Sequence, residues 1–169
     1  MHPLATTLRK LALIVMIGAS PAVVSAKDTH VAISAFNSWC FKAGQPPAQA
    51  RANMERTAGA PLPFVLTFWD DSLAPRPADA PKGVERRCEV RFDGDHTEQA
   101  IHALHKQMQT PPVFGTLIAL PATHAAIDGT ALIEGRALLR GRVAVVHVGT
   151  DGAQTFMAVD RLYSDWEES

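Results

Sequence analysis

Apolar and charged residues alternate along positions 84–92, with one exception. One side of this segment carries Val84, Arg86, Cys88, Val90 and Phe92, and the other carries Glu85, Arg87, Glu89 and Arg91. A period of two predicts a β-strand with one buried face, because successive side chains of a strand point to opposite faces. Arg86 is the exception, and we expect it near the start of the strand, where its guanidinium reaches water.

A helix is predicted directly after this strand. Asp93-Gly94 forms a turn, and Asp95 is a suitable N-cap with Glu98 three residues later. The apolar stripe of the helix consists of Ile101, Leu104, His105 and Met108, at the spacing i, i+3, i+4 and i+7. The prolines at 111 and 112 end the helix, since proline lacks the N–H group and disfavours helix in the residue before it.

Similar patterns predict the remaining elements. Thr29 is a candidate cap for a first helix that ends at Trp39-Cys40, and a second helix is predicted at 48–57. Further strands are predicted at 64–69, 113–120, 130–139, 142–149 and 154–162. Segment 113–120 is almost wholly apolar, which indicates a strand covered on both faces. In the strand at 130–139, the expected inward residues are Ile133, Ala137 and Leu139, and the expected outward residues are Glu134, Arg136 and Arg140.

The connections between strands determine the expected fold class. Residues 71–83 are rich in proline, which indicates an exposed loop without regular sheet pairing. Arg140-Gly141 and Asp151-Gly152 supply hairpin turns between consecutive strands. Because short connections imply antiparallel pairing, we predict an α+β domain. It has one mainly antiparallel sheet of five or six strands, with two or three helices packed on one face.

The first 26 residues have the features of an export signal. Two basic residues at 9 and 10 precede an apolar run at 11–19, and Val24-Ser25-Ala26 supplies the small residues of a cleavage site. An uncleaved membrane anchor is the alternative, but the run is short for a bilayer span. The expected organisation is a signal peptide at 1–26, a single domain at 27–163 and a frayed acidic tail at 164–169. We expect a periplasmic or secreted protein without stable membrane insertion after cleavage.

The charge balance argues against two classes of partner. Cleavage after residue 26 removes two basic residues and no acidic one, which leaves 14 basic and 17 acidic residues and a formal charge of −3. Nucleic acid and anionic membranes attract proteins that present basic patches. We therefore expect no nucleic-acid partner.

Cys40 and Cys88 are the two cysteines of the chain, and both follow the predicted signal. An exported chain meets oxidising conditions, which favours one disulfide over two separate thiols. Closing a loop of this length stabilises the folded state by about 4 kcal/mol on the chain-entropy model. There is no C-x-x-C motif, so the spacing favours neither a metal site nor a redox role.

Histidines are the remaining candidates for chemistry. Six follow the predicted signal: His30, His96, His102, His105, His124 and His147. His102 and His105 lie three residues apart on the central helix, so their rings can converge on one metal ion, with a third ligand from His96, His147 or a carboxylate across the sheet. In the alternative, His105 packs at the edge of the apolar stripe and His102 is solvated. Since zinc sites need three or four ligands, we predict no metal ligand and no cofactor.

Motifs of several enzyme classes are missing from the chain. It has no G-x-S-x-G, G-x-G-x-x-G, P-loop, H-E-x-x-H or EF-hand sequence. No serine has a local context that would activate it as a nucleophile, although a triad is a spatial arrangement. The sequence therefore assigns no catalytic residue and favours a protein that is not an enzyme.

A helix that ends at Trp39-Cys40, a strand that carries Cys88, the pair Gly135-Arg136 and a terminal meander follow one another along the chain. This order resembles small exported proteins of unknown function in Gram-negative bacteria. The resemblance implies a periplasmic location and no particular activity. Two hypotheses follow. The favoured one is a non-catalytic module that binds another periplasmic or envelope protein or an envelope component, and the alternative is a small periplasmic enzyme or metal-binding protein that uses its histidines.

Overall fold

The computed structural model of the protein describes residues 28–164, which contain three helices and one six-stranded sheet. The helices are α1 (Val31–Trp39), α2 (Pro47–Ala58) and α3 (Thr97–Gln109). The strands are β1 (Val65–Asp70), β2 (Val84–Asp93), β3 (Thr116–Ile118), β4 (Thr130–Ala137), β5 (Val143–Asp151) and β6 (Gln154–Leu162). The predicted signal peptide and all but the first residue of the predicted tail lie outside the described residues.

The strands are ordered β1-β2-β6-β5-β4-β3, and every neighbouring pair is antiparallel. Strands β4, β5 and β6 form a meander, and β2 pairs with the last of them. The helices cover one face of the sheet. These features confirm the predicted α+β class. Within residues 28–164, no helix is both long enough and apolar enough to cross a membrane.

The main core lies between the helices and the covered face of the sheet. Its largest buried side chains are Ile33, Phe36, Met54, Val90, Phe92, Leu104, Met108, Val146 and Met157. The predicted stripe of α3 supplies Leu104 and Met108, whereas His105 is partly exposed at its edge. The 3.6-residue period of α3 therefore matches its packing against the sheet.

A smaller apolar cluster lies on the opposite face of the sheet. It contains Trp69, Val84, Val143, Val145 and Leu162, with Ala80, Ile118 and Ile133 packed against it. Val84 was expected on the same face as Cys88, but a register shift between residues 84 and 86 moves it to the opposite face. The predicted loop at 71–83 contributes Ala80 to the cover of this cluster.

The prediction of a doubly covered strand at 113–120 is wrong. Only Thr116–Ile118 pairs, and it does so at the edge of the sheet, with β4 as its single neighbour. Val113 and Leu117 are 59% and 65% exposed. Gly115 has a φ of +63°, and a β-carbon there would lie 2.3 Å from the carbonyl oxygen of Ala137. Glycine is therefore required at residue 115, and its positive φ forms the turn that separates Val113 from the strand.

The predicted facing of strand β4 is also wrong in part. Leu139 is 84% exposed, because β4 ends at Ala137 and a short 3₁₀ turn follows in which Arg140 has a φ of 63°. Glu134 and Arg136 were expected in water, but they lie on the helix-covered face. There Arg136 donates hydrogen bonds to the carbonyl groups of Phe114 and Gly115.

The helix caps lie one residue after the predicted ones. α1 has His30 as its N-cap, and the Nδ1 atom of His30 accepts a hydrogen bond of 3.2 Å from the amide of Ala32. α3 has His96 as its N-cap, while the Asp95 carboxylate accepts bonds from the amide and hydroxyl of Thr97 at 3.1 and 2.7 Å. The predicted residues therefore flank the caps.

Candidate functional site

The disulfide predicted from the sequence is present and joins the end of α1 to the middle of β2. The Cα atoms of Cys40 and Cys88 are 5.4 Å apart, and both side chains are fully buried. The bond fixes the C-terminal end of α1 against the sheet. Cys40 also lines a pocket, so the disulfide holds one wall of a possible ligand site in place.

A pocket of about 780 Å³ opens between the end of α1, the end of α3 and the adjoining part of the sheet. Small-molecule sites in proteins commonly have volumes in this range and mostly apolar walls. The apolar wall includes Phe41, Val113, Phe114, Leu138, Leu139 and Ala144. The rings of Phe41 and Phe114 meet edge to face with centroids 4.6 Å apart. The pocket thus offers aromatic and aliphatic contact area next to the sheet.

The polar part of the pocket has a single sign of charge. Lys42, Arg86, Arg142 and Arg161 line it, and no aspartate or glutamate does. Arg142 is exposed and makes no ion pair or side-chain hydrogen bond among residues 28–164. The Lys42 amine lies 4.0 Å from the centre of the Trp39 ring, an arrangement that leaves it open to water. An anionic group at the mouth of the pocket would therefore meet the positive charge of Arg142, which has no partner among residues 28–164, and that of Lys42, whose amine lies over the Trp39 ring.

Arg86 is buried beside this pocket, contrary to the expectation that it reaches water. It is 6% exposed, and its Nη2 atom donates to the carbonyl oxygen of Cys40 at 3.0 Å and to that of Lys42. Its Nε atom lies 3.7 Å from an oxygen of Asp70, with which it is paired across β1 and β2. Arg86 therefore holds the chain that follows α1 against the sheet.

Arg161 completes a compensated charge network around Arg86. It donates hydrogen bonds of 3.0 Å to Asp70 and 2.8 Å to Glu85. Burial lowers the pKa of Arg86 to about 10, and the nearby Arg161 adds to this effect while Asp70 and Glu85 oppose it. Arg86 thus remains charged at neutral pH, and the two arginines are balanced by two carboxylates.

The structure places the two candidate metal ligands at different levels of exposure. His102 is exposed, whereas the Nε2 atom of His105 lies 3.1 Å from a carboxylate oxygen of Glu134 on β4. His96 lies beside His30 at the other end of α3, with ring centroids 4.7 Å apart and the ring planes tilted by 46°. Among residues 28–164, no group of three or more His, Cys, Asp or Glu side chains is arranged to hold a metal ion. Glu134 is a carboxylate of the kind expected beside the candidate ligands, and it lies next to His105. Among residues 28–164, no third ligand lies beside His105 and Glu134.

His147 belongs to a buried polar cluster on the opposite face of the sheet, centred on Asp160. The Asp160 carboxylate is fully buried and accepts two hydrogen bonds from Arg87, at 2.8 and 2.6 Å. His124, in the loop before β4, contributes an Nε2 atom 3.0 Å from the same carboxylate. His147 lies further away, with 3.8 Å between its Nε2 atom and Asp160, and this buried nitrogen has no hydrogen-bond partner.

The cluster anchors the loop at 119–129 to the sheet. Burial alone would raise the pKa of Asp160, but the hydrogen bonds from Arg87 and His124 outweigh it and lower that pKa. The Thr123 hydroxyl lies 2.8 Å from the Nδ1 atom of His124, so hydroxyl, imidazole and carboxylate form a chain. A similar chain activates serine nucleophiles. Here the Asp160 carboxylate also accepts two hydrogen bonds from Arg87 and ties His124 to the sheet, so the geometry favours an anchoring role.

Acidification is expected to destabilise the protein through His147. Burial lowers the pKa of this imidazole, with Arg87 and His124 nearby and with Asp160 and Glu89 opposing the effect. His147 therefore binds a proton near pH 6.5 in the unfolded chain, whereas in the folded state it binds one only at lower pH. The free energy of unfolding then falls as the pH drops below about 6.5, with a slope of at most about 1.4 kcal/mol per unit for this one proton.

Urea denaturation at pH 7.5, 6 and 5 measures this slope. We expect His147→Gln to flatten it and the exposed control His102→Gln to leave it unchanged. Part of the slope remains in His147→Gln, because burial and His96 also lower the pKa of His30. An unchanged slope in His147→Gln would contradict the assignment to this residue.

No family model matches the chain, and no curated protein or solved structure is significantly similar to it. The fold therefore defines an α+β class with one antiparallel sheet and nothing narrower. The features that bear on function are the pocket and the two buried polar networks.

The sequence indicated the disulfide but not the pocket. The pocket arises where three segments meet that are distant in sequence: the end of α1, the turn after α3 and the start of β5. One signal was available, since Arg86 interrupts the apolar side of a strand. A buried arginine needs nearby acceptors, and here these are the carbonyl groups after α1.

Proposed function

We propose that this protein is a small non-catalytic binding module of the periplasm, and that the pocket beside the disulfide is its ligand site. The observation that carries the proposal is the pocket itself, about 780 Å³ in volume, with an apolar wall and basic residues as its charged groups. The occupant is a small molecule or an envelope component that presents an apolar part. An exported location agrees with the disulfide, since such bonds persist in oxidising compartments.

The rigidity of the pocket wall supports a binding role. The Cys40–Cys88 bond and the hydrogen bonds from Arg86 to the carbonyl groups of Cys40 and Lys42 fix the wall formed by the end of α1. A site that is formed before the ligand arrives loses less conformational entropy on binding, which increases affinity. Val113 and Leu139 at the rim are 59% and 84% exposed, so a ligand would cover apolar surface that is now in water.

The test uses protein purified from the periplasm and a variant that fills the pocket. Ser38 is an exposed lining residue of α1, so Ser38→Trp should occupy the mouth without removing a core side chain. Ala48→Trp, at an exposed position of α2 outside the pocket, is the matched control. We expect Nile red to bind the wild type and the control, and to bind Ser38→Trp at least about tenfold more weakly, equivalent to about 1.4 kcal/mol.

Mass spectrometry of the same preparations completes the test. The denatured mass reports cleavage after residue 26 and the oxidation state of the cysteines, and the native mass reports any bound species. A co-purified small molecule that is lost in Ser38→Trp supports the proposal. Equal dye binding in all three proteins would overturn the pocket as the ligand site. A bound metal or a measurable turnover would overturn the proposal and favour the histidine-based alternative.

A further inference from the structure

We propose that the pocket takes an acyl chain with an anionic head group, with the chain on the apolar wall and the head beside Arg142 and Lys42. This inference rests on the proposed function, because it names the ligand class of the same pocket. It starts from the distribution of charge. The charged side chains that line the pocket are all basic.

The free positive charge is at the mouth of the pocket. Arg86 and Arg161 are balanced by Asp70 and Glu85, so they add little net field. Arg142 and Lys42 have no carboxylate partner among residues 28–164, and both are exposed. The head group of a ligand would therefore find its counter-charge near solvent, where a carboxylate or phosphate also keeps part of its hydration.

The deeper wall favours a hydrocarbon chain. Phe41, Phe114, Leu138 and Ala144 line it, and they offer no donor or acceptor side chain. A sugar or a peptide would lose hydrogen bonds to water against such a wall, whereas an acyl chain loses none. Val113 and Leu139 extend the apolar surface to the rim, so the chain can enter from the side of the exposed edge strand β3. The formal net charge of the chain is −1, which argues against general attraction to anions, and the cations at the mouth of the pocket provide it locally instead.

Displacement of Nile red by dodecanoate and by dodecanol tests the inference. The two ligands share a chain and differ in the charge of the head. We expect dodecanoate to displace the dye at about tenfold lower concentration than dodecanol. In Arg142→Glu this preference should disappear, through a roughly tenfold loss of affinity for dodecanoate alone. Arg140→Glu, an equal change of charge at an exposed position that does not line the pocket, should behave as the wild type.

Equal displacement by both ligands, blocked in Ser38→Trp, would overturn the anionic head group and leave the proposed function intact. Failure of the dye and of both ligands to bind the wild type would overturn the proposed function together with this inference. Thermal melting of Arg140→Glu and Arg142→Glu with the same cooperative transition as the wild type shows that both variants are folded.

Vesicles distinguish the two natural sources of such a ligand. Co-sedimentation with phosphatidylglycerol vesicles but not with phosphatidylcholine vesicles, lost in Arg142→Glu, assigns the ligand to membrane phospholipid. Displacement by dodecanoate without vesicle binding assigns it to free fatty acids. Either result supports an acyl chain with an anionic head group as the ligand. Co-sedimentation with phosphatidylcholine vesicles but not with phosphatidylglycerol vesicles would contradict it.

Discussion

Replacement of Asp160 by alanine is expected to lower the free energy of unfolding by about 3–5 kcal/mol, because a mostly buried arginine, Arg87, loses the carboxylate that accepts both of its side-chain hydrogen bonds and keeps only the more distant Glu89, at 3.8 Å. Asp160 is fully buried, and its carboxylate accepts the two hydrogen bonds that Arg87 donates. The change also removes the acceptor near His124, which holds the loop at 119–129. Urea denaturation at pH 7.5, followed by tryptophan fluorescence, measures the loss.

Asp151→Ala is the matched control for burial. Its carboxylate also pairs with an arginine, Arg91, but the Asp151 side chain is 69% exposed. Exposed pairs contribute about 0–1 kcal/mol, so we expect the control to lose no more than that. The double variant Arg87→Met with Asp160→Leu should recover most of the loss, since two packed apolar side chains can replace a buried ion pair. Equal losses in Asp160→Ala and Asp151→Ala would show that the cluster does not anchor the fold.

The sequence was sufficient for the parts of the fold that local rules determine. Strand β6 was predicted with the bounds Gln154–Leu162 that it has, because the turn at Asp151-Gly152 and the apolar run after it agree. The stripe of α3 was also predicted, since helical periodicity reflects burial on one side. The order of strands could not be predicted, because pairing of β2 with β6 depends on contacts between distant segments.

The sequence-based predictions of burial were wrong where burial depends on contacts with distant segments. The apolar run at 113–120 suggested a central strand, yet its position at the sheet edge leaves Leu117 exposed. The sequence predicts that Arg86 reaches water, yet the carbonyl groups after α1 and the carboxylate of Asp70 surround it. A charged residue on the apolar side of a strand can therefore mark a buried network, but the sequence does not name its partners.

His147 shows the same limitation on the other face of the sheet. Its alternation with Val143 and Val145 predicted a packed or edge histidine, and it is partly buried in that row. Neither Asp160 nor His124 could be identified as its neighbour, because β6 and the loop before β4 meet only in the folded sheet. Arg86, which is buried, and Arg87, which is 20% exposed, are adjacent in sequence and lie on opposite faces of β2. Their opposite orientation follows from the alternation of side chains along a strand. The carboxylate that each arginine pairs with depends on tertiary contacts.

Loss of the Cys40–Cys88 bond is expected to destabilise the protein by about 4 kcal/mol, because the bond closes a loop with a sequence separation of 48 residues. Reduction by dithiothreitol frees the unfolded chain and leaves the native packing nearly intact. The double variant Cys40→Ala with Cys88→Ala frees the chain and also removes two fully buried sulfur atoms. We therefore expect a somewhat larger loss in the variant than in the reduced protein. Urea midpoints of the oxidised, reduced and variant proteins measure both effects.

The disulfide also connects stability to the proposed site. Cys40 lines the pocket and its carbonyl oxygen accepts the hydrogen bond of Arg86, so the end of α1 should move more freely once the bond is broken. Nile red should then bind the reduced protein more weakly in buffer without urea, and the start of the urea curve shows whether the reduced protein is folded there. Asp151→Ala provides the control, because it lies on the opposite face of the sheet and should leave dye binding unchanged. Equal urea midpoints for the oxidised and reduced forms would contradict the stabilising role of the disulfide. Equal dye affinity of the two forms would show that the shape of the pocket does not depend on the disulfide. A reduced protein that loses both stability and binding would identify the disulfide as the element that keeps the pocket formed.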